Sequence, residues 1–148
     1  MGTTVIFACV HNAGRSQMAA AFFNDLADPS RARAVSAGTQ PAEQVHLEVV
    51  AVMREIDLDL ADARPQRLSD DLARGADLLV TMGCGEACPL VPGLRREDWS
   101  LPDPQGRPLA EVRAIRDDVR RRVERLVADN GWRARARHTG RSTEPTGY

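Results

Sequence analysis

The chain has 148 residues, 43% of them apolar and 28% charged, with a formal net charge of −1. That length supports one substantial core, and no run of about 18 apolar residues is present to cross a bilayer. The N-terminus has no basic start followed by a long apolar stretch, and Ile6 stands where a myristoylation signal carries Ser or Thr, so a cytoplasmic protein without membrane attachment is expected. All 20 basic residues are Arg, and residues 133–148 hold four of them against one Glu. This basic tail is expected to be solvated and mobile, following a single domain over residues 1–132. No basic stripe interleaved with aromatics speaks for a nucleic-acid partner, and a monomer is expected. Three cysteines, Cys9, Cys84 and Cys88, make a structural disulfide framework a poor fit to a reducing compartment. They are left for chemistry, metal binding or simple burial.

Residues 3–9, TTVIFAC, read as a short buried strand rich in β-branched and aromatic side chains. Residues 15–27 read as a helix with Met18, Phe22, Phe23 and Leu26 facing inward. A second strand follows at 32–38 and ends at Gly38. Residues 43–56 are amphipathic, with Val45, Val49, Val52 and Ile56 at helical spacing. Ser69 is a plausible N-cap for a short helical turn, and residues 77–82, DLLVTM, form a third buried strand. Residues 83–108 look loop-like, with many Gly and Pro. The longest helix spans 109–130, with Val112, Ile115, Val119, Val123, Leu126 and Val127 inward and Gly131 at its C-terminal cap. Strands alternating with helices predict a parallel, doubly wound α/β sheet. Ligands of such sheets bind at the carboxyl ends of the strands, where Cys9 and Cys84 both fall.

The stretch Cys9-Val10-His11-Asn12-Ala13-Gly14-Arg15-Ser16 joins the first strand to the first helix. A loop of that length can turn successive N–H groups inward as an anion-binding nest, and the helix N-terminus adds further unpaired N–H groups and partial positive charge. Arg15 offers a planar fork for two oxygens of a tetrahedral anion. Gly14 permits close backbone approach, and Asn12 tolerates left-handed geometry. The same environment favours the thiolate of Cys9, and Ser16 can hydrogen-bond to it. The plainer alternative is a buried Cys at a strand end followed by an ordinary helix start. The strand before, the helix after and the Ser following Arg15 favour a nucleophile in an oxyanion cradle, with Val10 to Ser16 as binders.

The motif CVHNAGRS resembles the phosphate-binding loop of the low-molecular-weight protein tyrosine phosphatase superfold. Together with SAGT, VTMGCGEACP, EDWSLPDP and VRAIRDDVRRRVERL, it resembles the arsenate reductases built on that fold, from residue 4 to about 130. The resemblance implies a four-stranded parallel sheet with helices on both faces. It also implies a general acid in an Asp-Pro dipeptide on a late loop, which maps to Asp103-Pro104. An acid there protonates the oxygen that leaves when Cys9 attacks; the plainer reading of Asp103 is a turn former before Pro. Trp99 is expected to pack beneath this loop.

The family's redox members use two further cysteines as relays, which maps to Cys84 and Cys88. The implied cycle forms a Cys9–arsenic adduct, then a Cys9–Cys84 disulfide as arsenite leaves, then a Cys84–Cys88 disulfide reduced by thioredoxin. The best-known thioredoxin-coupled pattern separates the relay cysteines by six residues, whereas here the spacing is Cys84-x3-Cys88, so a low-molecular-weight thiol with a mycoredoxin- or glutaredoxin-like protein is the alternative donor. Inert buried thiols or half of a metal site are the plainer readings. Metal binding wants further His or Cys nearby, and none follows. Phosphatases of the family carry Tyr after the Asp-Pro pair, whereas this chain has Gln105 and keeps its one Tyr at position 148. That suits a small inorganic substrate, arsenate, with phosphate or sulfate as mimics. Some relatives hold potassium through an acidic residue on the first helix; Ala20 and Ala21 stand in that region here, so no metal or other bound cofactor is expected. The alternatives are a phosphate-monoester phosphatase and a non-catalytic oxyanion or thiol sensor.

Overall fold

The computed structural model describes residues 2–83 and 93–134. Its elements are β1 (Thr3–Cys9), α1 (Arg15–Leu26), β2 (Ala32–Gly38), α2 (Leu47–Arg54), α3 (Asp70–Arg74), β3 (Leu78–Thr81), β4 (Arg95–Asp98) and α4 (Leu109–Asp129). The strands form one parallel sheet in the order β2-β1-β3-β4. The winding reverses between β1 and β3, so the chain leaves the carboxyl ends of these two neighbours in different directions. The gap this opens is where sheets of this kind hold ligands.

Alternation along β1 divides the core. Val5, Phe7 and Cys9 face a large cluster with Met18, Phe22 and Phe23 of α1, Val49 and Val52 of α2, and Val112, Val119 and Val123 of α4. Ile6 and Ala8 face a smaller cluster with Ala37, Leu68 and Leu79, backed by Leu72 of α3. Helices thus cover both faces, three on one and the short α3 on the other. Phe7 anchors the larger side, with its ring edge-on to Phe23 at 5.9 Å between centroids and beside Trp99 at 5.6 Å. Truncation of such a ring to Ala costs about 3–5 kcal/mol.

Local signals account for several boundaries. Ser69 accepts the Leu72 N–H at 3.0 Å and starts α3. Gly131, at φ 71°, ends α4 with paired bonds from its own N–H to Ala128 O and from Trp132 N–H to Val127 O, the Schellman arrangement. At the outer edge of β2, the Asn24 side chain accepts the Ala34 N–H and donates to the Ala34 carbonyl, both at 2.9 Å. It replaces the missing neighbour strand.

Two expectations need correction. The segment 83–108 is not loop throughout, because Arg95–Asp98 pairs with β3 as the fourth strand. Its sequence, RRED, carries no apolar face to betray an edge strand. The helix expected over 43–56 is confined to Leu47–Arg54. The backbone ahead of it is committed elsewhere, since the N–H groups of Ala42 and His46 bond to carbonyls of the loop after β1.

Candidate active site

Between Cys9 at the end of β1 and Arg15 at the start of α1, the loop Val10–Gly14 is held from outside by its carbonyls. Those of Cys9, Val10, His11 and Ala13 accept the N–H groups of Thr39 (3.3 Å), Gln40 (2.8 Å), Ala42 (3.0 Å) and His46 (3.0 Å). Every described peptide is trans. In a planar trans peptide the carbonyl and the next N–H point in opposite directions. The amides of Val10, His11, Asn12 and Gly14 therefore face away from this collar, toward the inside of the turn. Gly38 closes the packing. A Cβ there would lie 2.6 Å from the Val10 carbonyl oxygen and 2.9 Å from the Asn12 nitrogen.

Asn12 takes the left-handed conformation at φ 52° and is fully buried. Its Oδ1 accepts the Gln66 N–H at 2.9 Å, which leaves Nδ2 to donate to Ser16 Oγ at 2.7 Å. Gln17 Nε2 reinforces the turn by donating to the Asn12 carbonyl at 3.0 Å. Ser16 Oγ lies 2.9 Å from Cys9 Sγ. Because Ser16 already accepts from Asn12, its hydroxyl hydrogen is free to point at the sulfur. The Asn12 side chain is thus spent on fixing Ser16, and only its backbone N–H is left for an anion.

Arg15 is 8% exposed. Its Nη1 donates to the Leu101 carbonyl at 3.0 Å, and its Nη2 lies 3.9 Å from Asp103 Oδ2. Its Nε is buried without a partner among the described residues. A buried guanidinium N–H left unpaired costs on the order of 1–3 kcal/mol or more, a cost removed by an anion on the cradle. Gly83, just past β3, closes on the same group. A Cβ there would lie 2.5 Å from Arg15 Nη1, and its φ of 108° is glycine's territory. The carboxyl ends of β1 and β3 thereby meet across one arginine.

Asp103 forms the turn and also faces the cradle. Its Oδ1 accepts the Gln105 N–H at 3.0 Å, while Oδ2 is the oxygen facing Arg15. Pro104 seats the loop against Gly14. Trp99 is buried against Phe7 and donates Nε1–H to Glu97 Oε1 at 3.2 Å.

The structure therefore brings together Cys9, the loop Val10–Gly14, Arg15, Ser16 and Asp103. His11 is half-buried and contributes through its backbone. Cys84, Cys88 and the tail from residue 135 lie outside the described residues. Gln66 and the collar 39–46 escaped the sequence reading, since a backbone donor carries no side-chain signature, and so did Gln17, whose side chain donates to a backbone carbonyl. Among the described residues no group of three or more His, Cys, Asp or Glu is placed to hold a metal ion, and no helix is long and apolar enough to cross a membrane.

Residues 4–134 match the family described as low molecular weight phosphotyrosine protein phosphatase. The chain belongs to this family. Among its relatives, a Halobacterium salinarum protein provisionally named an arsenate reductase is 42% identical over 123 residues, which is 79% of this chain and 85% of that protein. The thioredoxin-dependent arsenate reductase of Corynebacterium glutamicum superposes with a TM-score of 0.75 at 37% identity. That match covers 86% of this chain, which spans 61% of the other. An arsenate reductase from Archaeoglobus fulgidus superposes with a TM-score of 0.71 at 31% identity, over 84% of this chain and 98% of that one. The four-stranded parallel sheet with helices on both faces is that of the low molecular weight phosphatase fold.

Proposed function

We propose that this chain is an arsenate reductase that converts arsenate to arsenite through an arsenic adduct on Cys9. The observation that carries this reading is the buried Arg15 Nε, unpartnered among the described residues, beside a cysteine whose loop turns its amides inward. Such a site holds a tetrahedral oxyanion directly over the sulfur, and the names of the relatives supply the arsenic chemistry.

In the first step the Cys9 thiolate attacks arsenic(V). One oxygen leaves as water, taking the proton from Asp103 Oδ2. The loop amides and Arg15 hold the charge on the remaining oxygens. In the second step the Cys84 thiolate attacks Cys9 Sγ. The S–S bond forms, the electron pair of the S–As bond passes to arsenic, and arsenite departs as arsenic(III). Cys88 then attacks Cys84, frees Cys9 as a thiolate, and leaves a Cys84–Cys88 disulfide. A dithiol of the thioredoxin type reduces that disulfide. A small thiol with a mycoredoxin- or glutaredoxin-like protein is the alternative reductant, favoured if the Cys84-x3-Cys88 spacing proves too short to relay.

A second reading, hydrolysis of phosphate monoesters, draws on the family itself, since cradle and acid serve both reactions. The exposed Gln105 after Pro104 offers no aromatic wall for a phenol. The deciding experiment measures arsenate turnover with thioredoxin, its reductase and NADPH, beside a mycothiol or glutathione system, and compares Cys9→Ser. Turnover with one donor, abolished in the variant, supports the reading. No arsenite with either donor alongside Cys9-dependent aryl phosphate hydrolysis returns the site to phosphatase chemistry.

A further inference from the structure

We propose that Glu48 is a positioning residue that holds the acid loop over the cradle from the first turn of α2. The Gly106 N–H donates to Glu48 Oε2 at 3.2 Å, across 58 residues of sequence. Gly106 is the third residue of a turn closed by Arg107 N–H on the Pro104 carbonyl, and its φ is 73°. The Gly106 N–H has no partner within that turn, so it needs an acceptor from another element. A carboxylate is the strongest acceptor a side chain provides.

The position of Glu48 gives this bond its meaning. Two residues earlier, His46 donates its N–H to the Ala13 carbonyl of the cradle. The start of α2 therefore grips the anion loop with one residue and the acid loop with another, which fixes their separation. The other ties of the acid loop run to the cradle's own residues or to α4, where Arg107 links the Asp103 carbonyl to Glu111 and Arg122 reaches the Ser100 carbonyl. Arg15 bonds to the Leu101 carbonyl, and Pro104 leans on Gly14. Arg15 must also turn to the substrate. Glu48 ties the acid loop to α2, the element that also grips the anion loop, without engaging the anion-binding groups.

This inference rests on Asp103 being the acid, and a double-mutant cycle separates the two claims. The readout is single-turnover arsenite release from the full chain with a small dithiol, with phosphate affinity and thermal melting measured alongside. Asp103→Asn is expected to slow release on the order of 10²- to 10⁴-fold. Glu48→Ala is expected to slow it about three- to tenfold, the range for losing one ordinary hydrogen bond, since solvent at this exposed site weakens the charged one. In the Asp103→Asn background the same Glu48→Ala change is expected to cost nothing further, because no acid remains to misplace. Glu48→Gln keeps an acceptor oxygen and is expected to recover most of the rate, with phosphate affinity unchanged throughout. Equal slowing by Glu48→Ala in both backgrounds, or none in either, overturns the role of Glu48 while leaving Asp103 as the acid. An Asp103→Asn enzyme as fast as the parent overturns the acid reading itself.

Discussion

Gly14 and Pro104 meet so closely that a Cβ on Gly14 would lie 2.8 Å from Pro104 Cγ. The contact joins the last residue of the anion loop to the residue after the acid. A proline ring has little freedom to yield, so added bulk must push the acid loop outward. Gly14→Ala is expected to lower turnover on the order of 10- to 100-fold, the scale of a displacement near 1 Å at a reacting group. Phosphate affinity should fall much less. Steady-state kinetics beside calorimetric titration of phosphate checks both, and an equal loss in the two would place the damage in the cradle instead.

Asn12 is the keystone of the loop, with Gln66, Gln17 and Ser16 all bonded to it. Asn12→Ala leaves the part-buried Gln66 N–H unpaired and puts a residue poorly suited to φ 52° in its place. The expected cost is about 2 kcal/mol or more in stability, read from urea midpoints. Ser16 should also lose its orientation toward Cys9, so the rate of Cys9 alkylation at neutral pH is expected to change. An unchanged alkylation rate would mean that Ser16 orients without Asn12.

The proposed relay separates reduction from hydrolysis. Cys84→Ser and Cys88→Ser are each expected to lose thioredoxin-coupled turnover while keeping Cys9-dependent hydrolysis of an aryl phosphate. Without Cys84, arsenic stays on Cys9 or leaves only with an added small thiol. Without Cys88, a Cys9–Cys84 disulfide accumulates, which peptide mass mapping after one round with arsenate detects. Normal cycling of the Cys88 variant with thioredoxin would show that the donor attacks Cys84 or the adduct directly.

Acid stability has a local source in the clasp between α2 and α4. Glu55 bonds Arg113 through both oxygens and also meets the buried Arg116, which donates to the Val52 carbonyl. The hydrogen bond from Arg113, and then that from Arg116, holds the Glu55 carboxyl below its ordinary 4.5. A depressed folded value stabilises the protein above the unfolded carboxyl range, and this contribution is lost as pH falls through the folded value. Glu55→Gln should therefore melt lower than the parent at pH 7, and the gap should close on acidification below about pH 4.5. Thermal melts across pH 3–7 test this, and a gap independent of pH would assign the effect to packing.

The sequence exposes those parts of the fold that bury apolar side chains. Strands β1 and β2 and helix α4 follow their hydrophobic patterns closely, and the cradle is legible because Cys9, Arg15 and Ser16 each carry chemistry in the side chain and Gly14 marks a close approach. Strand β4 is illegible because an edge strand of four charged residues presents no core face. The shortened start of α2 is illegible because Ala42 and His46 act through backbone N–H groups. Asp103 reads ambiguously from sequence because one oxygen serves the turn while the other faces Arg15, which is where the proposed acid role places it. Glu48 leaves no trace in the sequence, since its partner is an amide 58 residues away.

The collar around the cradle works through main-chain donors at positions 39, 40, 42 and 46. Only proline lacks that donor, and Pro41 sits at a position whose N–H the collar does not use. The side chains of Thr39, Gln40, Ala42 and His46 can therefore drift without loosening the grip on the anion. A lineage can remodel the rim of this site toward a new substrate or partner while the cradle beneath it stays intact. Recognition of the tetrahedral core and recognition of whatever surrounds it are thus separately evolvable traits in this chain.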